Sequence, residues 1–179
     1  GRGAPARAAA GGRLAPGPRS KPWIEGAAFG DSEALTMREI ALDTETTGLD
    51  PAKGHRVIEI GCVELVNHVP SGRTFQRYVN PGMAIGRDAV AIHGLDEAKL
   101  AGAPPFAAIV DEFFAFVGDA PLVIHNAEFD LGFLNAELAR IERPPIPAER
   151  AIDTVLLARR RFPGAPANLT LASYYIASH

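Results

Sequence analysis

Two carboxylates stand one residue apart in the segment Asp43-Thr44-Glu45, directly after the apolar run Ile40-Ala41-Leu42. Residues i and i+2 of an extended chain face the same side, so both acidic side chains can point at one place. Neighbouring carboxylates repel each other unless a cation or a proton lies between them. Hard divalent ions such as Mg²⁺ and Mn²⁺ prefer oxygen ligands. Most Asp-x-Glu triplets in proteins are solvated surface pairs. Because this one directly follows an apolar strand, the pattern indicates a metal site.

A further acid, Asp130, closes the segment His125-Asn126-Ala127-Glu128-Phe129-Asp130. A strand is predicted at Leu122–Ile124, just before this segment, and a helix is predicted to begin near Ala127. Ligand crevices in α/β sheets form at the carboxyl ends of strands. Taken alone, Asp130 is better explained as an acid that stabilises the positive end of a helix dipole than as a catalytic group.

Three antiparallel strands are predicted at the front of the domain, where they would position the paired acids. The first strand runs from Arg38 to Asp43, and turn chemistry follows from Thr44 to Asp50. The segment Val57–Val66 is apolar and β-branched, and Arg73–Val79 alternates between polar and apolar residues, as strands do. Pro and Gly within Asn67–Gly72 indicate a hairpin connection between these two strands.

Helices alternate with strands in the later part of the chain. Apolar residues recur at helical spacing within Phe106–Val117 and Leu131–Ile141, on either side of the predicted strand at Leu122–Ile124. A third helix is predicted at Asp153–Phe162, with Asp153 as its N-cap. Antiparallel strands followed by strand–helix units predict an α/β fold with a mixed central sheet and helices packed on it.

Composition limits the class of protein and the extent of the domain. The chain has 179 residues, of which 47% are hydrophobic and 22% are charged, as in one soluble globular domain. Residues 1–36 consist largely of Gly, Ala, Pro and Arg, so we interpret them as a disordered or non-native extension. The domain is then predicted to occupy residues 37–179.

Charge and cysteine content exclude further classes. The formal net charge of −3 predicts no broad basic surface for nucleic acid, although carboxylate-held metal ions can still bind phosphates. No apolar stretch approaches the roughly 20 residues of a membrane helix, so we expect no membrane association. The single cysteine, Cys62, lies in an apolar run and is predicted to be a core residue of a cytoplasmic protein.

The motifs together resemble those of the DEDD exonuclease superfamily, with the closest likeness to the epsilon (proofreading) subunits of bacterial DNA polymerase III. The likeness is carried by Leu42–Leu49 (LDTETTGL), Val57–Gly61 (VIEIG) and His125–Asp130 (HNAEFD), in the family's order. It extends from Arg38 to about Leu171. The resemblance implies a ribonuclease H-like exonuclease fold, and a 3′→5′ exonuclease that hydrolyses terminal phosphodiesters of DNA in replication proofreading.

The same resemblance implies a role for each matching residue. Asp43, Glu45 and Asp130 would be catalytic metal ligands for Mg²⁺ or Mn²⁺, with two ions in the complete site. Asp43 and Glu45 would also contact the substrate, together with Asp88 and His93 in the segment before Gly94. A histidine that precedes glycine in a loop is otherwise most often a turn or helix-cap residue.

One family motif has no match in the chain. The third motif, His-x-Ala-x-x-Asp on a late helix, supplies the general base and a fourth carboxylate in the family. Only Asn168–His179 stands where this motif is expected, and His179 lacks the following Ala and Asp. We therefore expect a domain truncated at its C-terminal part, with weak binding of the second metal and reduced turnover. His125 and Asn126 match the opening of the second motif and would be hydrogen-bonding scaffold residues.

The implied partners are a single-stranded or frayed 3′ end of DNA and, by resemblance only, the catalytic subunit of polymerase III. Two other interpretations stay open at this point. An exoribonuclease of the same superfamily would use the same metal ligands, because discrimination of the 2′-hydroxyl depends on contacts that the motifs do not reveal. A catalytically impaired binding or scaffold domain would account for the missing third motif.

Overall fold

The computed structural model describes residues 36–164, in which five strands form one mixed sheet. The strands are β1 (Arg38–Thr46), β2 (Val57–Val66), β3 (Val69–Tyr78), β4 (Leu122–Ile124) and β5 (Ala151–Asp153). Their order across the sheet is β3-β2-β1-β4-β5. The pairs β1–β2 and β2–β3 are antiparallel, whereas β4 pairs in parallel with both β1 and β5. The predicted α/β architecture, with three antiparallel strands before the strand–helix units, is confirmed.

Five helices accompany this sheet in the described part of the chain. They are α1 (Arg87–His93), α2 (Glu97–Leu100), α3 (Phe106–Val117), α4 (Ala127–Arg140) and α5 (Thr154–Arg161). Both α3 and β4 have the predicted bounds, because the apolar stripe of α3 is strongly periodic and is followed by Gly118. None of the helices within residues 36–164 has the length and apolar character needed to cross a membrane.

The main core lies between the sheet and helices α3 and α4. Phe113 of α3 is fully buried, and its ring centroid lies 6.0 Å from that of Phe75 in β3. Leu134 and Leu138 of α4 are also fully buried in this core. Cys62 is buried as predicted, and burial raises the pKa of its thiol to about 12. Helix α4, which begins with the second motif, is therefore held against the sheet by apolar packing.

The structure corrects the predicted hairpin. The turn between β2 and β3 is formed by Asn67 and His68, with φ values of 51° and 66°, rather than by residues 67–72. Two successive residues with positive φ form the tight turns that suit the twist of paired strands. Pro70 and Gly72 lie inside β3, an edge strand where proline is tolerated and where glycine, at φ 89°, accompanies an irregularity in pairing.

Strand β1 is also longer than predicted. It continues to Thr46 instead of ending at Asp43, because Thr44 and Glu45 still pair with Ile60 and Glu59 of β2. The segment that contains Asp88 and His93 forms helix α1 rather than a loop. The extension predicted for residues 1–36 and the tail Asn168–His179 lie outside the described residues, apart from residue 36.

Candidate active site

The paired acids lie within β1 and share one face of the strand. Asp43 is exposed, Thr44 is buried and Glu45 is half-buried, in agreement with the alternation of an extended chain. Although Asp43 is exposed as a residue, the surrounding protein partly desolvates its carboxyl group, which raises the pKa of Asp43, and repulsion by Glu59 raises it further. Burial likewise raises the pKa of Glu45, with repulsion by Asp43 as the next cause. The two acids therefore lie within each other's electric field.

Asp130 lies in the first turn of α4 and contacts the middle of this triplet. Its Oδ1 accepts hydrogen bonds from the backbone N–H of Thr44 at 2.9 Å and from the Thr44 hydroxyl at 2.7 Å. Burial raises the pKa of Asp130 to about 6, the Thr44 hydroxyl opposes this shift, and Asp43 adds to it. The fold thus brings Asp130 beside the paired acids, as the family resemblance implied.

Glu59 is an acidic neighbour that the sequence interpretation did not include. It pairs with Glu45 across β1 and β2, and it raises the pKa values of both Asp43 and Glu45. Its side chain is bound by Nε2 of Gln76 at 2.5 Å. The alternation of the VIEIG segment placed Glu59 in a strand, but its partner strand and register were needed to locate it beside Glu45.

Carboxylate oxygens are the type of ligand that a hard divalent cation prefers. All three candidate ligands, Asp43, Glu45 and Asp130, are carboxylates whose pKa values are raised, and a cation would relieve the repulsion between them. Within residues 36–164, no three His, Cys, Asp or Glu side chains already form a group that could hold a metal ion. The carboxylates would have to draw closer around a cation, and their role as ligands stays a prediction.

The N-terminus of α4 is capped from a distant part of the chain. Asp153 is the N-cap of α5, as predicted, and its Oδ1 accepts from the backbone N–H of Val155 at 2.8 Å and of Leu156 at 3.4 Å. The same carboxylate accepts from the backbone N–H of Asn126 at 3.3 Å and of Ala127 at 3.1 Å. One side chain therefore caps α5 and also binds the start of the helix that carries Asp130.

His125 is held by a hydrogen bond within this scaffold. Its Nδ1 lies 2.9 Å from the hydroxyl of Thr154, the first residue of α5. His125 is among the groups that lower the pKa of Asp43, opposing the larger effect of desolvation, so the ring lies near the acidic strand end. These contacts agree with the predicted role of His125 as a scaffold residue beside the site.

A cavity of about 600 Å³ adjoins the acidic strand end, and its lining includes Glu45, Leu49, Asp88, Ile92, His93 and Phe129. Both predicted substrate-contacting residues, Asp88 and His93, thus lie at the same cavity as Glu45. The exposed side chains of Leu49 and Ile92, each 82% accessible, give the cavity apolar walls. Sequence analysis missed these apolar residues, because isolated Leu and Ile residues resemble ordinary core positions until the fold leaves them exposed.

His93 presents one ring nitrogen without a partner. Its Nδ1 accepts a hydrogen bond from the backbone N–H of Leu95 at 3.0 Å. Its Nε2 is buried and has no hydrogen-bond partner among the described residues. A buried, unpaired nitrogen at a cavity wall is a candidate contact for a polar ligand atom.

Comparisons with known proteins find a matching family and several relatives. A family model described as exonuclease (RNase_T) matches residues 40–177. The DNA polymerase III subunit epsilon of Rickettsia felis is 49% identical over 137 residues, which cover 75% of this chain and 60% of that protein. The corresponding subunit of Salmonella typhimurium is 41% identical over 141 residues, covering 74% and 57%. The chain therefore spans about 60% of the length of these relatives.

Solved structures share the fold. Exonuclease X in complex with 5′ overhanging duplex DNA is 28% identical, with a TM-score of 0.59 over 78% of this chain and 72% of that one. The nuclease domain of 3′hExo, a DEDDh family member bound to rAMP, is 20% identical, with a TM-score of 0.64 over 77% and 78%. At that identity the second likeness concerns the fold alone. The predicted ribonuclease H-like exonuclease fold is confirmed.

Proposed function

Because the chain belongs to the exonuclease family, whose model covers residues 40–177, we propose that it removes nucleotides from 3′ ends of DNA as the nuclease part of a polymerase III epsilon subunit. The observation that carries this proposal is that the fold brings acids from two distant segments, β1 and α4, next to each other. Asp130 of α4 binds Thr44, which lies between Asp43 and Glu45 in β1. The identity to epsilon subunits, 49% in one case, supports the proofreading role.

The proposed reaction is hydrolysis of the terminal phosphodiester. Water would attack the phosphorus, the bond to the 3′ oxygen of the preceding nucleotide would break, and a nucleoside 5′-monophosphate would leave. Asp43, Glu45 and Asp130 would hold Mg²⁺ or Mn²⁺, which neutralises phosphate charge and lowers the pKa of a bound water when present. The contribution of the chain is to hold these carboxylates next to one another, with Asp130 bound to Thr44 between Asp43 and Glu45. Release of their protons on metal binding follows from their raised pKa values.

The cavity beside Glu45 is proposed to receive the terminal nucleotide. The exposed apolar side chains of Leu49 and Ile92 offer surfaces on which a base can pack. His93, with its unpaired Nε2, and Asp88 would contact polar atoms of the nucleotide. A partner role with the polymerase III catalytic subunit, in the cytoplasm, accompanies the proposal because the relatives are subunits of that polymerase.

A nuclease assay with matched variants tests the proposal. The chain would be incubated with Mn²⁺ and 5′-labelled oligonucleotides of DNA or RNA, beside the variants Asp43→Asn and Asp111→Asn. Asp111 is an exposed acid of α3 that pairs with Arg143, so its variant controls for loss of one negative charge. We expect progressive shortening of DNA from the 3′ end, lost in Asp43→Asn and retained in Asp111→Asn.

Two results of the same assay would contradict the proposal. Degradation of RNA but not DNA would assign the chain to exoribonucleases. Shortening of DNA that persists unchanged in Asp43→Asn would show that this carboxylate takes no part in the reaction.

A further inference from the structure

An ion pair between a buried glutamate and a partly buried arginine joins α4 to the start of β2, away from the acids described above. Glu137 of α4 is 1% exposed. Its two carboxylate oxygens accept from the guanidinium of Arg56, with Nε–Oε1 at 2.6 Å and Nη2–Oε2 at 2.7 Å. The backbone N–H of Val57 also donates to Oε1 at 3.3 Å. A buried carboxylate is costly unless it is paired and hydrogen-bonded, so this geometry fixes both partners closely.

Glu137 and Asp130 lie on the same helix, seven residues apart, and therefore on one face of it. Asp130 binds Thr44 of β1, whereas Glu137 binds Arg56 and Val57 at the beginning of β2. Two buried carboxylates thus fasten α4 to neighbouring strands at two points about two turns apart. The contact of Asp130 lies at the candidate active site, and the contact of Glu137 fixes the direction of helix α4, which bears Asp130.

Arg56 also holds the chain that leaves the acidic strand. Its backbone N–H donates to the hydroxyl of Thr47 at 2.9 Å, and its carbonyl accepts from the backbone N–H of Thr47 at 2.9 Å. Thr47 follows Glu45 by two residues. The guanidinium further donates to the carbonyl of Pro81 at 3.1 Å. Arg56 therefore connects three segments that must stay in register for Glu45 and Asp130 to face one place.

We propose that the Arg56–Glu137 ion pair positions the carboxylates of the metal site, acting through Thr47 and helix α4 without touching metal or substrate. The inference rests on the proposed function, because it assigns a purpose to the pair only if Asp43, Glu45 and Asp130 bind a cation. Residues that orient metal ligands from outside the ligand set commonly affect metal affinity strongly. The charge of Glu137 is neutralised by Arg56 and also by Arg140, whose Nη1 lies 3.4 Å from Oε1, so the ion pair serves to position its neighbours.

The same sheet supplies a matched control. Glu64 of β2 is 4% exposed and accepts from Arg38 Nε at 2.6 Å, Arg73 Nη1 at 2.8 Å and Ser71 Oγ at 2.7 Å. It pairs with Ile40 near the other end of β1. Replacing Glu64 by Gln therefore disturbs another buried carboxylate that binds arginine, but one that does not hold the acidic end of β1.

The test compares Mn²⁺ binding by the full chain and by Glu137→Gln, Arg56→Lys and Glu64→Gln, by calorimetry at a temperature where each is folded. Lysine keeps the charge of Arg56 but cannot form the two-pronged contact, so this variant serves if Glu137→Gln does not fold. We expect Mn²⁺ to bind about tenfold more weakly to Glu137→Gln and Arg56→Lys. The NMR signal of the Thr44 amide should move in both variants. In Glu64→Gln, both the Mn²⁺ affinity and the chemical shift of the Thr44 amide should stay as in the wild type.

The outcomes separate this inference from the proposed function. Wild-type chain that binds no Mn²⁺ would refute the metal site and the inference with it. Wild-type binding that is unchanged in Glu137→Gln and Arg56→Lys would overturn the positioning role alone. Equal weakening in Glu64→Gln would overturn it as well, because the effect would then reflect general loss of stability.

Discussion

Asp130 and Thr44, which lie 86 residues apart in sequence, are joined by two hydrogen bonds that both end on Oδ1 of the acid. The hydroxyl and the backbone N–H of one residue thereby fix a buried carboxylate beside Asp43 and Glu45. Bonds from neutral donors to a carboxylate are stronger than bonds between two neutral groups. Thr44, which is not among the predicted metal ligands, therefore joins the second motif to the first.

Replacing Thr44 by Val tests this relationship. Valine keeps the shape and strand preference of threonine but removes the hydroxyl that donates at 2.7 Å. Since this bond lowers the pKa of Asp130, its loss should raise that pKa further above 6 and disfavour the ionised, metal-binding form. We expect the acidic limb of the pH–rate profile to move to higher pH, with activity at pH 6 reduced about tenfold.

An exposed threonine provides the control for this variant. Thr74 lies on edge strand β3 and is exposed, so Thr74→Val changes the same chemical group away from the acids. Its pH–rate profile should match that of the wild type. A Thr44→Val profile that also matches would show that the hydroxyl does not tune Asp130.

The raised pKa of Asp130 makes a prediction for stability. Burial raises this pKa from 3.8 to about 6, so between these values the folded state keeps a proton that the unfolded state has released. The free energy of unfolding must then fall as pH rises from about 4 to about 6, and the loss persists above that range. The variant Asp130→Asn has no carboxyl group at this position and therefore does not show this pH dependence. Without metal at pH 8 it should be more stable than the wild type, by at most about 3 kcal/mol.

Urea unfolding with a metal chelator present, at pH 4.5 and pH 8, measures this effect. The advantage of Asp130→Asn should be small at pH 4.5 and clear at pH 8, while the exposed-acid variant Asp111→Asn shows no such change. Saturating Mn²⁺ should stabilise the wild type at pH 8 and not Asp130→Asn. An equal stability difference at both pH values would mean that the carboxylate is not protonated in the fold.

The elements that the sequence predicted well are those with strong apolar periodicity. Strand β2 and helix α3 have the expected bounds, because each buries a continuous apolar face. The hairpin was misplaced because Pro70 and Gly72 are usual turn residues, whereas the actual turn uses Asn67 and His68. Strand β3 tolerates Pro70 and Gly72 because it lies at the edge of the sheet and pairs irregularly with β2. Both properties depend on the neighbouring strand, so the local sequence does not reveal them.

Some residues of the candidate site were predictable from the sequence, and others were not. The shared face of Asp43 and Glu45 was predictable from strand alternation, whereas Asp130 was assigned to the site only through the family resemblance, because its place in the first turn of a helix favoured a structural role. Glu59, which faces Glu45 across the sheet, required the register of β1 and β2. The buried pair of Arg56 and Glu137 required the packing of α4, since a charged residue on a helix is usually solvated.

Variants of His93 should separate its two ring nitrogens. Asparagine can accept from the Leu95 N–H as Nδ1 does at 3.0 Å, but it has no group at the position of the buried Nε2. Glutamine places a polar atom near that position. We expect His93→Asn to raise KM for a nucleotide substrate about tenfold, with kcat less affected, and His93→Gln to recover part of the loss. Steady-state kinetics would contradict the predicted contact if KM were unchanged in His93→Asn.

Asp153 is predicted to stabilise two helices at once. Asn126, the N-cap of α4, has φ 65° and makes no side-chain cap bond, so the N–H groups of Asn126 and Ala127 depend on Asp153. Asp153 also caps α5 through Val155 and Leu156. Removing one N-cap side chain typically costs about 1 kcal/mol. Asp153→Ala should therefore lower the free energy of unfolding by about 2 kcal/mol.

Asp96 offers the comparison, because its side chain caps only the short helix α2, through Lys99 N–H at 2.9 Å. Urea unfolding should show a smaller loss for Asp96→Ala than for Asp153→Ala, and a partial recovery in Asp153→Asn, which keeps one acceptor oxygen. Because Asp130 lies in the first turn of α4, Asp153→Ala should also weaken Mn²⁺ binding, while Asp96→Ala should not. Equal losses of stability in the two alanine variants would mean that Asp153 supports α5 alone, and the link between the two helix ends would not be part of the site.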